Sequence, residues 1–474
     1  MDQQERDRRA ARARDLVPAL AAAGVAGVAI TFVDLSGIAR VKAVPLARLE
    51  DTAAWGVGTA VVFDTYGIDD LPIPDADLAA AGVPTGAGPV ATVGGAVGDL
   101  RLMPDLDRLV VLPATPGWAW APADRFALDG SAHPLDSRLL LGRAVRALAA
   151  DGLTARAAFE VEFVLATGTD GYGEVVPPTA GAAYGMTRLV ETAEVLRDLL
   201  SALDGAGVDV GQVHPEYAVG QFEVSVAAED PLGAADTSVL VRQTIRAVAH
   251  RHGLRVSFAP KVGAGVGNGG HVHVSLARYG ETQMSGGGGP AGMTATGQAF
   301  VAGVLAHLPA LQALGAPSVA SWLRLVPSHW AGSWAAWGVE NRETALRFVQ
   351  GATGDGGRSA NLELKSVDLA ANPYLLVAGL LTAGLDGVRS GAVLPDPVGV
   401  DPAVLDGPAR AAAGVRPLPA DLSAAADALA ADEVLTGAFG AALTGTLVAH
   451  RRAEVRRFAG STHAEVVAAT RWAW

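Results

Sequence analysis

The 474-residue chain contains no cysteine, so disulfide bonds, thiolate metal ligands and cysteine nucleophiles are all excluded. Basic residues are also few: 36 lysines and arginines face 49 aspartates and glutamates, which leaves a formal net charge of -13. A surface of that sign repels phosphate backbones and anionic membranes. We therefore expect neither nucleic acid nor a membrane surface as a partner. Chemistry on a small molecule is the better starting hypothesis.

Long uninterrupted apolar segments are missing as well. The most apolar run, ANPYLLVAGLLTAGLDGV, contains Asn372, Pro373 and Asp386, which predicts a buried helix and not a membrane span. The amino terminus, MDQQERDRRAARARD, is charged throughout and lacks the apolar core of a secretory signal. Together with the absence of cysteine, these features lead us to expect a cytoplasmic protein that is not exported.

Two parts of unequal size are predicted from the local patterns. A helix over residues 3 to 23 and two strands joined at the turn DLSG indicate a small sheet domain over residues 1–113. Beyond a proline-rich connection, helical patterns alternate with short strand-like runs, which indicates a mixed catalytic domain over residues 114–474. Its main helical patterns occupy residues 185–204, 231–252, 294–314, 371–390 and 421–457.

Four short runs combine polar side chains on one face of a strand with apolar side chains on the other, because alternate residues of a strand share a face. The polar positions are Glu160 and Glu162 in FEVEF; Gln221, Glu223 and Ser225 in QFEVS, with Glu216 just upstream; His271, His273 and Ser275 in HVHVSL; and Asn361, Glu363 and Lys365 in NLELK. Any single run is typical of a half-solvated strand. Four of them in one sheet would collect carboxylates that repel one another unless cations lie between them.

Bound metal would relieve that repulsion. Oxygen donors with few imidazoles and no thiolate favour Mg²⁺ or Mn²⁺, with zinc as the alternative. The segment RLVPSHWAGSWAAWGVENRETALR adds Arg324, Arg342 and Arg347, and guanidinium groups suit the charge on a transferring phosphoryl group. Two ions and these arginines together predict ATP chemistry. The glycine-rich SGGGGPAGM lacks the lysine of a Walker loop, and a strand follows GVGNGGH where a dinucleotide fingerprint needs a helix.

From about residue 25 to the end, the chain resembles the glutamine synthetase family. The motifs that carry the resemblance, in the family's order, are EVEF, HPEYAVGQFE, APKVGAGVGNGGHVHVSL, RLVPSH, ENRETALR and DLAANPYLLVAGLLTAGLDGV. The resemblance implies an α+β fold: an amino-terminal β-grasp domain followed by a glutamine-synthetase-type catalytic domain with an antiparallel, barrel-like active-site sheet. It also implies a homo-oligomer, a dodecamer of two hexameric rings with active sites between subunits.

The family reaction makes γ-glutamyl phosphate from glutamate and ATP, after which an amine displaces phosphate. By motif position, the resemblance implies one divalent ion held by Glu162, Glu216 and Glu223, and another held by Glu160, His271 and Glu363. Two or three Mg²⁺ or Mn²⁺ ions would accompany ATP. The implied substrate-binding positions are Arg324, Gly267, Trp330 and Asp64. The implied nucleotide-binding positions are His273, Ser275, Arg342 and Arg347, and the implied catalytic cations are Arg342, Arg347 and Lys365.

One departure from the family pattern bears directly on the amine. After RLVP the family usually continues Gly-Tyr-Glu, and that glutamate holds ammonium and accepts its proton, whereas this chain has Ser328, His329 and Trp330. An indole cannot accept the proton. It can bury the alkyl part of an amine or face a cation through its ring.

Other departures concern the nucleotide, the neighbouring subunit and regulation. Asn361 and Lys365 flank Glu363 where arginines are usual, and FDTYG replaces Phe-Asp-Gly-Ser-Ser around Asp64. Tyr374 is the last tyrosine of the chain, so control by adenylylation is not expected.

We therefore expect an ATP-dependent ligase that joins glutamate to a primary amine, resembling the γ-glutamylpolyamine and γ-glutamylethanolamide branch of the family. The acceptor would be a polyamine, ethanolamine or another small amine. Three alternatives stay open: an authentic glutamine synthetase that uses ammonia, a catalytically inactive structural or regulatory member of the fold, and a two-metal hydrolase.

Overall fold

The computed structural model describes residues 2–83, 97–167, 175–263, 265 and 267–474. A small amino-terminal unit comes first in the chain. Its elements are α1 (Gln3–Ala22), β1 (Gly27–Val33), β2 (Ala39–Pro45), α2 (Leu49–Trp55), β3 (Val57–Ala60), α3 (Asp75–Ala80), β4 (Asp99–Pro104), β5 (Val110–Val111) and β6 (Trp118–Ala127).

The small unit is a mixed sheet of the β-grasp kind. Its strand order is β2-β1-β6-β4-β3, with β5 paired to β6, and the pair β1 and β6 is parallel while the others are antiparallel. Ala13 and Leu20 of α1 share a buried cluster with Ile30 of β1 and Leu102 of β4. Because β6 ends at Ala127, the small sheet continues past residue 113, the boundary predicted from the sequence.

The larger unit contains the remaining helices and strands. They are α4 (Ser137–Ala150), β7 (Leu153–Thr167), α5 (Met186–Glu191), α6 (Ala193–Gly205), β8 (Val210–Pro215), β9 (Gln221–Val226), α7 (Pro231–Arg251), β10 (Leu254–Ser257), β11 (Val272–Arg278), β12 (Glu281–Thr282), α8 (Ala295–Gly315), α9 (Val319–Trp322), β13 (Trp334–Val339), β14 (Thr344–Val349), β15 (Asn361–Leu364), α10 (Pro373–Ser390), α11 (Gly407–Ala412), β16 (Arg416–Pro417), α12 (Leu422–Ala431), α13 (Glu433–Phe439), α14 (Ala441–Arg457) and α15 (His463–Thr470).

The predicted helical segments are present, but two of them are divided. The segment 185–204 forms α5 and α6, which meet at Thr192. The segment 421–457 forms α12, α13 and α14, because Asp432 has extended backbone and caps α13 while Gly440 has φ of 83°. An aspartate that accepts from the N–H groups of the following turn starts a new helix, and a glycine with positive φ ends one.

The large sheet has ten strands, in the order β16-β13-β14-β15-β11-β7-β9-β8, with β10 paired to β7 and β12 paired to β11. The four runs with polar faces are β15, β11, β7 and β9, which are adjacent and antiparallel. The prediction that they form one sheet is therefore confirmed. Their apolar faces are buried in the main core, as Val161, Phe222, Val272 and Leu362 show.

Helix α8 is long and apolar enough to cross a membrane by length and composition alone, and it is the single such helix among the residues described. Within its most apolar window, 78% of the residues are buried inside the protein. It packs against α10 and α12, as a core helix does. The apolar run predicted to be a buried helix is α10, and most of its residues are buried.

Helices α8 and α10 approach each other at a pair of glycines. A Cβ atom on Gly387 would lie 2.1 Å from the carbonyl oxygen of Ala299, and a Cβ atom on Gly303 would lie 2.3 Å from that of Ala383. Backbone atoms at those distances cannot accept even a methyl group, so the contact between the two helices requires both glycines.

Gly387→Ala is expected to lower the free energy of unfolding by about 1–3 kcal/mol, because the added methyl group must push two core helices apart. The matched control is Gly437→Ala in α13, where an added Cβ has no atom within 4 Å. Alanine is the better helix former by roughly 0.5–1 kcal/mol, so the control should unfold at an equal or higher temperature. Thermal unfolding of both variants checks this, and a Gly387→Ala protein as stable as the parent would contradict it.

Candidate functional site

A cavity of ≈ 1990 Å³ lies over the polar face of the large sheet. Its walls come from that face, from residues 261–263, 265, 267 and 269 of the glycine loop, from the segment 323–331 and from α15. The site is therefore built from strands at the floor and from loops at the rim.

The first donor group on the floor comprises Glu160, His271 and Glu363, whose ligand atoms lie within 4.8 Å of one another. Nδ1 of His271 is 2.8 Å from Glu160 and 3.4 Å from Glu363. The sheet brings them together because β11 pairs with β7 on one side and with β15 on the other.

The second donor group comprises His214, Glu216 and Glu223, again within 4.8 Å of one another. Nδ1 of His214 is 3.2 Å from Glu216, and its Nε2 is 3.4 Å from Glu223. His214 on β8 is the register partner of Glu223 on β9. Sequence reasoning missed this histidine, although HPE places it two residues before Glu216, at the same spacing that identified the other polar faces.

Glu162 was predicted to join Glu216 and Glu223, and it lies directly opposite Glu223 in the strand register. One of its oxygens accepts from the side-chain amide of Gln221 and from the backbone N–H of Gly269, each at 2.8 Å. Among the described residues Glu162 belongs to neither group of three. Glu162 lies beside both groups, since it is the register partner of Glu223 and its other oxygen is 4.0 Å from His271.

Charges on this floor are compensated unevenly. Burial raises the pKa of Glu162 to about 6, and the neighbouring carboxylates of Glu223 and Glu216 act in the same direction. Burial also tends to raise the pKa of Glu363. Lys365 and the imidazoles of His271 and His273 outweigh burial there and lower the pKa to about 2. At Glu162, burial and the like charges outweigh the opposing effect of His271, whereas at Glu363 the positive groups outweigh burial.

Two histidines of the floor, His214 and His273, have raised pKa values because carboxylates contact them. Hydrogen bonds to Glu216 and Glu223 raise the pKa of His214 to about 10. Burial opposes protonation of His273, but its contact with Glu160, at 3.1 Å, raises the pKa to about 9. Both shifts have the sign expected of a site that attracts cations.

Both donor groups have the chemistry of a divalent-ion site. Each offers two carboxylates and one imidazole, without sulfur, which suits Mg²⁺ or Mn²⁺ better than softer metals. A Cβ atom on Gly269 would lie 2.6 Å from Nε2 of His271 and 2.8 Å from Glu162. A glycine at this position keeps the space between those donors open.

Arg324 is the cation above the glycine loop. Its guanidinium is buried and donates to the backbone carbonyls of Val367, at 2.8 Å, and Lys365, at 3.4 Å. Its Nε has no hydrogen-bond partner within the described part of the chain. Gly267 packs directly on it, because a Cβ there would lie 3.1 Å from Cγ of Arg324. A buried, incompletely paired guanidinium that lines a cavity has the geometry and charge that suit a carboxylate.

The remaining predicted cations lie at different depths. Lys365 is buried and donates to Glu363 at 3.1 Å, and Arg347 donates to the other oxygen of Glu363 at 3.0 Å. Arg342 is exposed at the rim of the cavity.

His273 contacts Asn361 at 2.8 Å, further along the sheet from the donor groups, and Ser275 lies beyond His273 on β11.

Trp330 stands in an unusual segment of backbone. Ser328 and Trp330 have φ of 58° and 53°, a region that costs a non-glycine residue about 1–3 kcal/mol. Glu343 holds both residues there, because its two oxygens accept from their backbone N–H groups at 3.1 and 2.7 Å. The indole is 47% exposed and lines the cavity.

Residues 134–468 match the family model described as "Glutamine synthetase, catalytic domain". The chain belongs to the glutamine synthetase family. It is 53% identical to "Gamma-glutamylpolyamine synthetase GlnA3" of Streptomyces coelicolor, over 97% of this chain and 96% of that protein. It is 32% identical to a glutamine synthetase of Thermotoga maritima, over 72% of this chain and 78% of that one.

Solved structures of the family have the same fold. A structure described as a novel glutamine synthase homolog superposes with a TM-score of 0.82 at 33% identity, covering 95% of this chain and 99% of that one. A "GmaS/ADP complex" superposes with a TM-score of 0.79 at 29% identity, covering 94% and 97%. Enzymes of the glutamine synthetase family use ATP and divalent metal ions in general.

One of the residues that the family resemblance assigned to substrate does not reach the cavity. Asp64 is fully buried in the small unit. It forms an ion pair with Arg125 and lies 2.7 Å from Nε2 of His133. Burial disfavours its charge, yet Arg125 and His133 lower its pKa to about 2. Both oxygens of Asp64 are therefore engaged within this chain, and its assignment to an amine site, which the resemblance places in a neighbouring subunit, stays a prediction.

Glu363→Ala is expected to abolish ATP turnover and to weaken binding of Mn²⁺ by more than about 100-fold, since even partners of metal ligands contribute 10–100-fold. The matched control is Glu281→Ala on β12, an exposed residue of the same sheet, which should leave both quantities unchanged. Electron paramagnetic resonance of free Mn²⁺ measures the binding, and a phosphate-release assay measures turnover. Full activity in the presence of excess chelator would contradict the assignment of a metal site.

Proposed function

We propose that this member of the glutamine synthetase family is an ATP-dependent ligase that joins the γ-carboxylate of glutamate to a primary amine. The observation that carries the proposal is the exposed indole of Trp330 in the cavity, where the family usually places the glutamate that holds ammonium. The identity to a γ-glutamylpolyamine synthetase across nearly the whole chain supports it. The acceptor amine would be a polyamine, ethanolamine or another small amine.

Glutamate would be positioned by Arg324, with Gly267 allowing its carboxylate to approach the loop. In the first step a γ-carboxylate oxygen attacks the terminal phosphorus of ATP, the bond to the β-phosphate oxygen breaks, and ADP leaves. Arg347, beside Glu363, and Arg342, at the rim, are placed to compensate charge on the transferring phosphoryl group. Two or three divalent ions, when bound by the two donor groups, would supply further compensation of phosphate charge.

In the second step the amine nitrogen attacks the acyl carbon of γ-glutamyl phosphate, the acyl–oxygen bond breaks and inorganic phosphate leaves. The amine must lose a proton before or during the attack. Both oxygens of Glu343, the carboxylate nearest Trp330 in this segment, accept from backbone N–H groups, so it holds the loop in place. An amine that carries carbon gains apolar contact with the indole, whereas ammonium gains none.

We also propose that the enzyme is a homo-oligomer, a dodecamer of two hexameric rings with active sites between subunits, on the resemblance to the family. A light-scattering mass near twelve times the 48.1 kDa of the chain supports the proposal, and a monomeric mass contradicts it. The cytoplasmic location stays a prediction.

Arg324→Ala is expected to raise KM for glutamate by roughly tenfold to a hundredfold, because a hydrogen bond to a charged group contributes about 1.5–3 kcal/mol. KM for ATP should change much less. Arg197→Ala on the exposed surface of α6 is the control and should alter neither constant. Steady-state kinetics at saturating ATP measure the effect, and an unchanged KM for glutamate would show that Arg324 does not bind it.

The best primary amine is expected to exceed ammonium in kcat/KM by at least about tenfold, since burial of a methylene contributes about 0.8 kcal/mol and a cation over an indole roughly 0.5–2 kcal/mol. Trp330→Ala should narrow the difference in kcat/KM between the amine and ammonium, mainly by weakening binding of the amine. A phosphate-release assay with glutamate and a panel of amines tests this. Equal or better use of ammonium would favour an authentic glutamine synthetase, and no ATP turnover with any acceptor would favour an inactive member of the fold.

A further inference from the structure

Three aromatic side chains form a continuous row along one wall of the cavity. The ring centroid of Tyr217 is 5.3 Å from that of Tyr184 and 4.6 Å from that of Trp330. All three residues line the cavity. Each is about half exposed: Tyr217 at 53%, Tyr184 at 52% and Trp330 at 47%. Rings that only filled the core would be buried, whereas these half-exposed rings present apolar surface to whatever occupies the cavity.

The aromatic row begins at the second donor group. The ring of Tyr184 stacks on His214, with centroids 5.3 Å apart, and its hydroxyl donates to Glu216 at 2.6 Å. From there the row leads through Tyr217 to Trp330. An amine chain lying along the row would therefore have one end close to the carboxylates and the other close to the indole.

The backbone at both ends of the row is held in a costly conformation. Tyr184 and Trp330 have φ of 53° each, in the region that non-glycine residues rarely adopt. Glu343 fixes Trp330 through its backbone N–H, and Glu216 fixes Tyr184 through its hydroxyl. The two ends of the row are thus held by specific bonds, and all three residues line the cavity.

Aromatic faces of this kind bind cations. The negative face of an indole or phenol ring attracts an ammonium group, most strongly where water is excluded. The -13 net charge of the chain further favours a ligand with more than one positive charge. A monoamine has only the nitrogen that must be deprotonated for the attack, so it leaves no cation for the row.

We propose that the aromatic row of Tyr184, Tyr217 and Trp330 binds the second, unreacted ammonium group of a diamine or polyamine, and so selects these amines over monoamines. This inference rests on the proposed ligase function. The second nitrogen undergoes no bond change: the first forms the amide and phosphate leaves, as in the reaction above.

The test compares 1,4-diaminobutane with 1-aminobutane, which have the same carbon chain and differ by one amino group. The parent enzyme should prefer the diamine in kcat/KM by at least about tenfold, equivalent to 1.4 kcal/mol. Tyr217→Leu keeps an apolar side chain but removes the ring, so it should cut the preference about tenfold, chiefly through KM for the diamine. Tyr217→Phe keeps the ring and should retain the preference.

Tyr279→Leu, a change at an exposed tyrosine outside the cavity lining, is the matched control and should retain the parent preference. Turnover of 1-aminobutane by Tyr217→Leu shows that the variant is folded. If the parent couples both amines with equal kcat/KM, or Tyr217→Leu preserves the preference, the inference is wrong and the ligase function stands. If the parent couples no primary amine to glutamate, the proposed function fails, and the inference fails with it.

Discussion

The site depends on the repulsion between carboxylates that a β-sheet places side by side. Strand alternation puts Val161, Phe222 and Leu362 into the core, and the same alternation forces Glu160, Glu162, Glu223 and Glu363 onto the other face. Glu162 lies directly opposite Glu223, an arrangement of like charges that destabilises a sheet on its own. A fold that keeps such a face must supply cations to it, and the rest of the site follows from that requirement.

The chain supplies part of the positive charge itself. Lys365 and Arg347 each donate to Glu363, and His214 lies between Glu216 and Glu223. Glu162 receives only neutral amide donors, and its pKa is raised to about 6. The charge that is still missing is therefore concentrated between the two donor groups. Divalent ions bound there would complete the compensation and attract the phosphates of ATP.

Local patterns were sufficient to predict the floor of the site but not its rim. The spacing of Glu160 with Glu162, and of His271 with His273, identified strands with one polar face, because alternate residues share a face in any β-sheet. His214 follows the same rule and could have been found from HPE. The burial of Asp64 could not be found in this way, since it depends on Arg125 and His133, which follow Asp64 in the chain by 61 and 69 residues.

Long-range pairing explains the remaining differences. The small domain was predicted to end at residue 113, yet β6 lies wholly beyond that residue and pairs in parallel with β1. A parallel pairing between distant segments leaves no local signal. Likewise, the motif RLVPSHW is enough to show that the ammonium-binding acid is missing. It does not show that Glu343 holds Trp330 in a conformation with positive φ. Those contacts are tertiary, and the aromatic row emerges only when they are known.

The most direct test of the charge argument is anomalous diffraction at the manganese absorption edge from crystals grown with Mn²⁺ and ADP. The account predicts anomalous peaks within about 2.0–2.5 Å of ligand atoms in both donor groups. The first group is Glu160, His271 and Glu363, and the second is His214, Glu216 and Glu223. The oxygens of Glu162 should adjoin the ions. Crystals that contain ADP but show no anomalous density over the polar face of the sheet would contradict the account.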